Sequence, residues 1–213
     1  MKSPRSCFFP TSRVRCADRA SDRAYALPDY RRAHVPGGSF FFTLVTAGRR
    51  RFLCKKKARV LLRQALESAR DRWPFRIHAF VLLPDHLHTI WTLARDDADF
   101  STRWAWTKKE FTKGWLALGE AEVKVSVSKR RDRRRGVWQR RFWEHVLEDE
   151  NDFAKHCDYI HYNPVKHSLV HCSCDRPYSS FARFVKSGDY AADWGCSERP
   201  PPDFGDLDQT AME

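Results

Sequence analysis

The sequence contains no uninterrupted apolar run approaching the roughly 20 residues needed to cross a bilayer, so a membrane-embedded protein is not expected. The first 26 residues are rich in arginine but lack the continuous apolar core of about 7 to 15 residues that a secretory leader requires, which argues against export. Cysteine is too scattered for a disulfide framework. The seven (Cys7, Cys16, Cys54, Cys157, Cys172, Cys174 and Cys196) are odd in number and fit a reducing cytosol better. Only His171-Cys172-Ser173-Cys174 resembles a local set of metal ligands, and no second pair at zinc-finger spacing accompanies it, so a plain loop is the expected reading. No internal repeat is present at any period that would suggest a solenoid.

Acidic residues are in the minority. Lys and Arg number 39 against 27 Asp and Glu, a formal charge of +12 and a pI near 9.6, and such an imbalance attracts polyanions. Nucleic acid is therefore the first partner to consider. With 42% hydrophobic residues the chain is too apolar for a disordered basic protein, and 213 residues suffice for one ordinary domain with tails.

Residues 1–26 follow neither a strand nor a helix period and are expected to be an extension outside the domain. After the turn signal Gly37-Gly38, the aromatic and β-branched run from Ser39 to Thr46 predicts a strand. Lys55 to Arg72 carries apolar residues at helical spacing and is stopped by Pro74. Arg76 to Leu83 and Leu87 to Leu93 are strand-like runs separated only by Pro84-Asp85-His86, the arrangement of a tight antiparallel hairpin. Phe100 to Leu118 returns to helical spacing, Phe142 to Leu147 predicts a short strand, and Glu148 to Asn163 predicts a helix begun by acidic residues and ended by Pro164. The order βαββαβα suggests a ferredoxin-like α+β layer, an antiparallel sheet covered by helices. From Ser197 onward, prolines and acidic residues predominate, so residues 196–213 are expected to be a disordered tail behind a domain at 27–195.

Two groups of residues carry chemistry. His86 and His88 stand two apart at the start of a strand, so both imidazoles face the same way and can reach one cation. Two histidines satisfied by hydrogen bonds at a strand edge would look the same. The predicted helix ends in Asp158-Tyr159-Ile160-His161-Tyr162-Asn163-Pro164, where Tyr159 and Asn163 share a face. A tyrosine attacks a phosphate well when a metal polarises the phosphate oxygens, and the Asn163 side-chain oxygen can complete a His86, His88, Asn163 set suited to Mg²⁺ or Mn²⁺. Tyr162 lies roughly 300° further round the helix and is expected to pack, with a nucleophile's role as its lesser alternative; His161 points away from Tyr159; His156, three before Tyr159, can line the same cleft, but a solvated surface histidine is the plainer reading.

A basic run that includes Arg130, Arg131, Arg133, Arg134 and Arg135 leads into Trp138-Gln139-Arg140-Arg141-Phe142-Trp143. Phosphate-seeking charge next to aromatics able to stack on bases suits single-stranded nucleic acid, and Lys108 and Lys109 add charge from the second helix. A solvated loop with core aromatics is the alternative reading.

These segments together resemble a known family. Pro28-Asp29-Tyr30-Arg31-Arg32 with Val35-Pro36-Gly37-Gly38, then Leu83-Pro84-Asp85-His86-Leu87-His88, Trp138-Gln139-Arg140-Arg141-Phe142-Trp143-Glu144-His145 and Tyr159-Ile160-His161-Tyr162-Asn163-Pro164-Val165-Lys166-His167 are similar, in order, to the REP-associated tyrosine transposases, relatives of the IS200/IS605 transposases. The resemblance spans about residues 28–185. It implies an HUH-type domain, His86 and His88 as metal ligands, Asn163 as the third ligand, and Tyr159 as the nucleophile that leaves a 5′-phosphotyrosine and a free 3′-OH. It further implies action on single-stranded palindromic hairpins, a monomer rather than a dimer, and a cytoplasmic, nucleoid-associated protein. A DNA-binding protein without cleavage and a hydrolytic nuclease that uses water remain alternatives. Two departures stand out: residues 1–26 precede the usual start, so Leu27 is expected to mark a non-Met start, and Ser168 stands where glycine is common.

Overall fold

The computed structural model describes residues 32–131, 135–198, Pro201, Phe204 and Leu207. Expectations for residues 1–26, Arg133 and Arg134 lie outside these, as does most of the tail. The chain divides into a unit at Met1–Arg32 and a unit at Ala33–Glu213, and the second carries the elements below.

The run Ser39–Val45 forms β1, and alternation divides its side chains between two faces. Phe40, Phe42 and Leu44 enter one apolar cluster, and Phe41 enters another on the opposite side. β1 pairs antiparallel with β3 (His86–Leu93) and with β4 (Trp143–Val146), while β2 (Phe75–Leu82) pairs with β3. The sheet order is β2-β3-β1-β4, with α1 (Lys56–Arg72) joining β1 to β2 and α2 (Phe100–Ala117) lying between β3 and β4. This is a ferredoxin-like α+β fold, as the interleaved helices and strands predict.

One face is packed by α1, through Ala58, Leu62, Ala65, Leu66 and Ala69, and by α2, through Phe100, Trp104, Phe111 and Trp115. Trp91 of β3 stacks on Trp104 with ring centroids 3.9 Å apart. α1 and α2 approach closely because Gly114 has no side chain: a Cβ there would lie 2.5 Å from Leu61 Cδ2. The other face of the sheet is covered by α4 (Glu150–Lys166), whose Cys157, Tyr159 and Ile160 meet Phe41, Ala79, Val81, Leu83 and Ile90. Asp149 caps this helix by accepting from the Asp152 backbone N–H at 2.8 Å, and Glu150 and Asp152 add acidic charge to its first turn.

Several boundaries differ from those the sequence predicts. Pro164 does not end α4; the helix runs on to Lys166. A proline forfeits its own N–H bond but still accepts, and Leu169 N donates to Pro164 O at 2.9 Å while Ser168 N donates to Val165 O at 2.8 Å. That pair of bonds is a Schellman cap, and it requires a left-handed residue at Ser168, whose φ is +53°. A glycine here would adopt this conformation without strain. Ser168→Gly is expected to raise stability by about 0.5–1 kcal/mol, read as a higher urea midpoint at unchanged slope; an unchanged or lower midpoint would refute it.

Two short helices, α3 (Val127–Arg131) and α5 (Phe181–Ser187), were not legible, because five and seven residues are too few for a period to register. The segment after α4 covers the free edge of β2: Leu82 N donates to Tyr178 O and Ser180 N to Phe80 O, both at 2.8 Å. Against the expectation of scattered cysteines in a reducing cytosol, Cys172 and Cys196 are joined by a disulfide. They lie 24 residues apart on loops that meet only in the folded chain, which no local spacing reveals.

Candidate active site

Register puts Thr43 of β1 opposite His88 of β3, and Thr43 Oγ1 and His88 Nδ1 are hydrogen-bonded at 2.8 Å. His86, two residues earlier on the same face, donates from Nδ1 to Asp85 Oδ1 at 2.8 Å, and Arg49 holds the other Asp85 oxygen at 3.2 Å. Burial would raise the Asp85 carboxyl, but the hydrogen bond from His86 and the charges of His86 and Arg49 outweigh it and hold the group below its ordinary range. With both Nδ1 atoms engaged, both Nε2 atoms are turned inward, buried and without a hydrogen-bond partner. Burial, then the charges of His86, His167, Lys166 and Arg49, lower the His88 pKa well below the ordinary histidine value, so its ring is neutral and its lone pair available.

α4 faces this pair. Tyr159 stands with its ring 5.3 Å from that of His88, and His167, at the cap of the helix, stands 5.3 Å from His86. Asn163 lies between them at four-residue spacing on the same face, fully buried, with neither Oδ1 nor Nδ2 hydrogen-bonded. Lys166 carries its ammonium 5.3 Å from the Tyr159 ring centroid. His86, His88, Tyr159 and Asn163, picked out from the sequence, are therefore brought together. Lys166 and His167 also border this pair, and His167 continues the four-residue spacing of Tyr159 and Asn163, the sequence signal that points to it.

Leaving a buried polar atom unpaired costs about 1–3 kcal/mol, so three such residues gathered on facing elements call for a common partner. Two imidazole nitrogens and an amide oxygen suit a divalent cation, and hydrogen bonds to both Nδ1 atoms supply the outer contacts that orient such ligands. Asp85→Ala is expected to weaken Mn²⁺ binding about 10- to 100-fold in calorimetric titration; affinity equal to wild type would remove Asp85 from this role.

A second titratable group borders the site. Asp152 accepts from His145 Nε2 and from His156 Nδ1, each at 2.9 Å, and these three residues also have the spacing of metal ligands. His156 is fully buried and packs 4.8 Å from Phe41, which corrects the expectation that it is solvated; it occupies the face of α4 turned to the sheet. His161 points away from Tyr159, with Nε2 2.7 Å from Ser180 Oγ and Nδ1 3.2 Å from Tyr190 Oη, and burial lowers its pKa to about 3. Tyr162 packs against Phe204 at 5.8 Å. Phe204, in the expected tail, also stands 5.7 Å from Tyr159.

The residues expected to meet nucleic acid divide into two sets. Trp138 is corrected: it is buried against Phe111 at 5.0 Å, in the core beneath α2, and cannot stack on a base. Lys108 donates to Gln139 O at 2.5 Å and Arg140 O at 3.1 Å, holding the loop in place. Arg135 makes two bonds to Glu122, at 2.7 and 2.8 Å. Lys109, Arg130, Arg131, Arg140 and Arg141 are exposed, with Lys109 over the Trp106 ring.

No family model matches the chain. It is 40% identical over 168 residues to the REP-associated tyrosine transposase of Escherichia coli K12, spanning 79% of this chain and 91% of that protein. It is 38% identical over 169 residues, 79% of this chain and 94% of the relative, to a Haemophilus influenzae protein provisionally given the same name. Among solved structures, a REP-associated tyrosine transposase bound to a REP hairpin superposes with a TM-score of 0.69 at 38% identity, covering 88% of this chain and 98% of that one. The chain belongs to the REP-associated tyrosine transposase family.

Proposed function

We propose that the protein cleaves and transfers single-stranded DNA at REP-type hairpins, with Tyr159 as nucleophile and a divalent cation, Mg²⁺ or Mn²⁺, held by His86, His88 and Asn163. The observation that carries this reading is the convergence of a tyrosine with unpaired ligand atoms of β3 and α4. When bound, the cation polarises the scissile phosphate. The Tyr159 oxygen loses its proton and bonds to phosphorus, the bond to the 3′ oxygen breaks, and that oxygen takes up a proton to leave a 3′-OH and a 5′-phosphotyrosine. Lys166 adds a positive charge beside the ring, where the anionic phosphate must come. The E. coli relative and the related solved structure with its REP hairpin support the choice of DNA.

The test is a denaturing gel of the protein incubated with a 5′-labelled and a 3′-labelled hairpin oligonucleotide in Mn²⁺. Label downstream of the cut should migrate with the protein, while the upstream piece is released. Cleavage with no protein-linked label would mean that water is the nucleophile, and binding with no cleavage would leave a DNA-binding protein. Arg140 and Arg141 are the exposed cations next to β4 on which we expect phosphates to lie. Replacing both with alanine should flatten the plot of log affinity against log salt by about 1.4, or 0.7 per lost phosphate contact on single strands; an unaltered slope would exclude them from the path.

A further inference from the structure

The sequence leaves His171-Cys172-Ser173-Cys174 without further ligands, and the fold brings them one. Cys196 faces Cys172 across an antiparallel bridge, and the two loops are clamped on either side by Ser173 N donating to Gly195 O at 3.2 Å and Ser197 N to His171 O at 2.9 Å. Around the bonded pair, Cys174 Sγ and an Asp175 carboxylate oxygen lie within 4.8 Å of each other and of Cys172 Sγ. Asp175 is already fixed there, accepting from the Cys172 backbone N–H at 3.2 Å and lying 3.8 Å from Cys174 Sγ.

Three sulfurs and a carboxylate oxygen on two short loops are all ligand types of zinc, and they match the three-thiolate structural sites with a carboxylate in the fourth place. Zn–S bonds of about 2.3 Å at a tetrahedral centre separate the sulfurs by roughly 3.8 Å. The Cα atoms of Cys172 and Cys196 lie 3.9 Å apart, so the two thiols released when the bond opens can take up that spacing by turning about their side-chain bonds. We propose that, in the reduced protein, Cys172, Cys174, Cys196 and Asp175 bind one structural Zn²⁺.

A dithiol reductant opens the Cys172–Cys196 bond: it gives up two electrons and two protons to the cysteines and becomes a disulfide itself. Zn²⁺ then displaces one proton from each of the three thiols. The ion takes over the task of the disulfide, closing the loop after α4 onto the segment that packs behind it. In that segment Trp194 stacks on Tyr190 at 4.4 Å, and Tyr190 donates to Asp158 of α4 at 2.7 Å. The clasp thus lies outside the Tyr159 site, and its fate is independent of the proposed nuclease chemistry.

The experiment uses the full chain, stripped of metal with a chelator and kept reduced with a phosphine, then titrated with Co²⁺ and back-titrated with Zn²⁺. Thiolate ligation gives a near-ultraviolet charge-transfer band that a His/His/Asn site cannot produce. One equivalent of Co²⁺ should develop the band and Zn²⁺ should remove it. Cys174→Ser, a change at an exposed residue that leaves Cys172 and Cys196 in place, should weaken Zn²⁺ at least about 10-fold, and Cys196→Ser should abolish the band. The proposal is overturned if no band forms although all cysteines react with a thiol reagent. A band unchanged in both variants overturns it, as does a Cys172–Cys196 bond that survives the reductant by mass.

Discussion

Replacing Tyr159 with phenylalanine should lower formation of the protein–DNA adduct by more than about 10⁴-fold, the scale seen when a nucleophile is removed from a site that otherwise stays assembled. The substitution is a clean one. The ring is nearly fully buried, and its contacts with Phe41 at 5.9 Å, His88 at 5.3 Å and the Lys166 ammonium belong to the aromatic face and edge that phenylalanine keeps. Melting temperature should move by no more than the roughly 2–4 °C that corresponds to about 1 kcal/mol in a chain of this size. Hairpin affinity should stay within about 5-fold, since a loss under 1 kcal/mol corresponds to a factor below about five. Tyr162→Phe serves as the internal control, because that ring packs against Phe204 and should leave the adduct at wild-type level. An adduct that persists in the Tyr159 variant and disappears in the Tyr162 variant would reverse the assignment.

The second large effect is expected from His88→Ala. This side chain is fully buried, and Thr43 fixes its Nδ1 while Nε2 is turned toward α4. On the proposed reading, removing it deletes a ligand rather than an orienting contact, so Mn²⁺ affinity should fall by more than the roughly 100-fold ascribed to outer contacts. Cleavage should be lost with it, while hairpin affinity in a chelator should match that of wild type under the same conditions. His86→Ala should behave alike. Cleavage by either variant at the wild-type rate and at the same Mn²⁺ concentration would show that the two histidines are structural, and attention would pass to His145, Asp152 and His156.

What could be read from the sequence was what repeats locally. The period of β1 and α1, the two-residue spacing of His86 and His88 and the four-residue spacing of Tyr159 and Asn163 each state a face, and the fold preserves each face. What escaped depends on partners distant in sequence. Trp138 sits beside a run of arginines but turns its ring under α2, because an indole gains more from burial than from exposure. Lys108 adds charge to the basic stretch expected to meet DNA, yet its ammonium bonds two carbonyls of the 139–140 loop. Cys172 finds Cys196, and His156 packs on Phe41 of β1, through contacts that neither spacing nor composition foretells, whereas the His156–Asp152 contact follows the four-residue spacing of α4.

The sheet is covered on one side by helices that lie between its strands in the chain and on the other by a helix that follows them all. During synthesis, which proceeds at about 5–20 residues per second from the N-terminus, the strands and their first layer emerge before α4 does. Until then Phe41, Ala79, Val81, Leu83 and Ile90 have nothing over them, and the histidine pair has no tyrosine. The nascent chain therefore passes through a stage that exposes an adhesive apolar face, and the step that buries that face is the one that brings Tyr159 to the histidine pair.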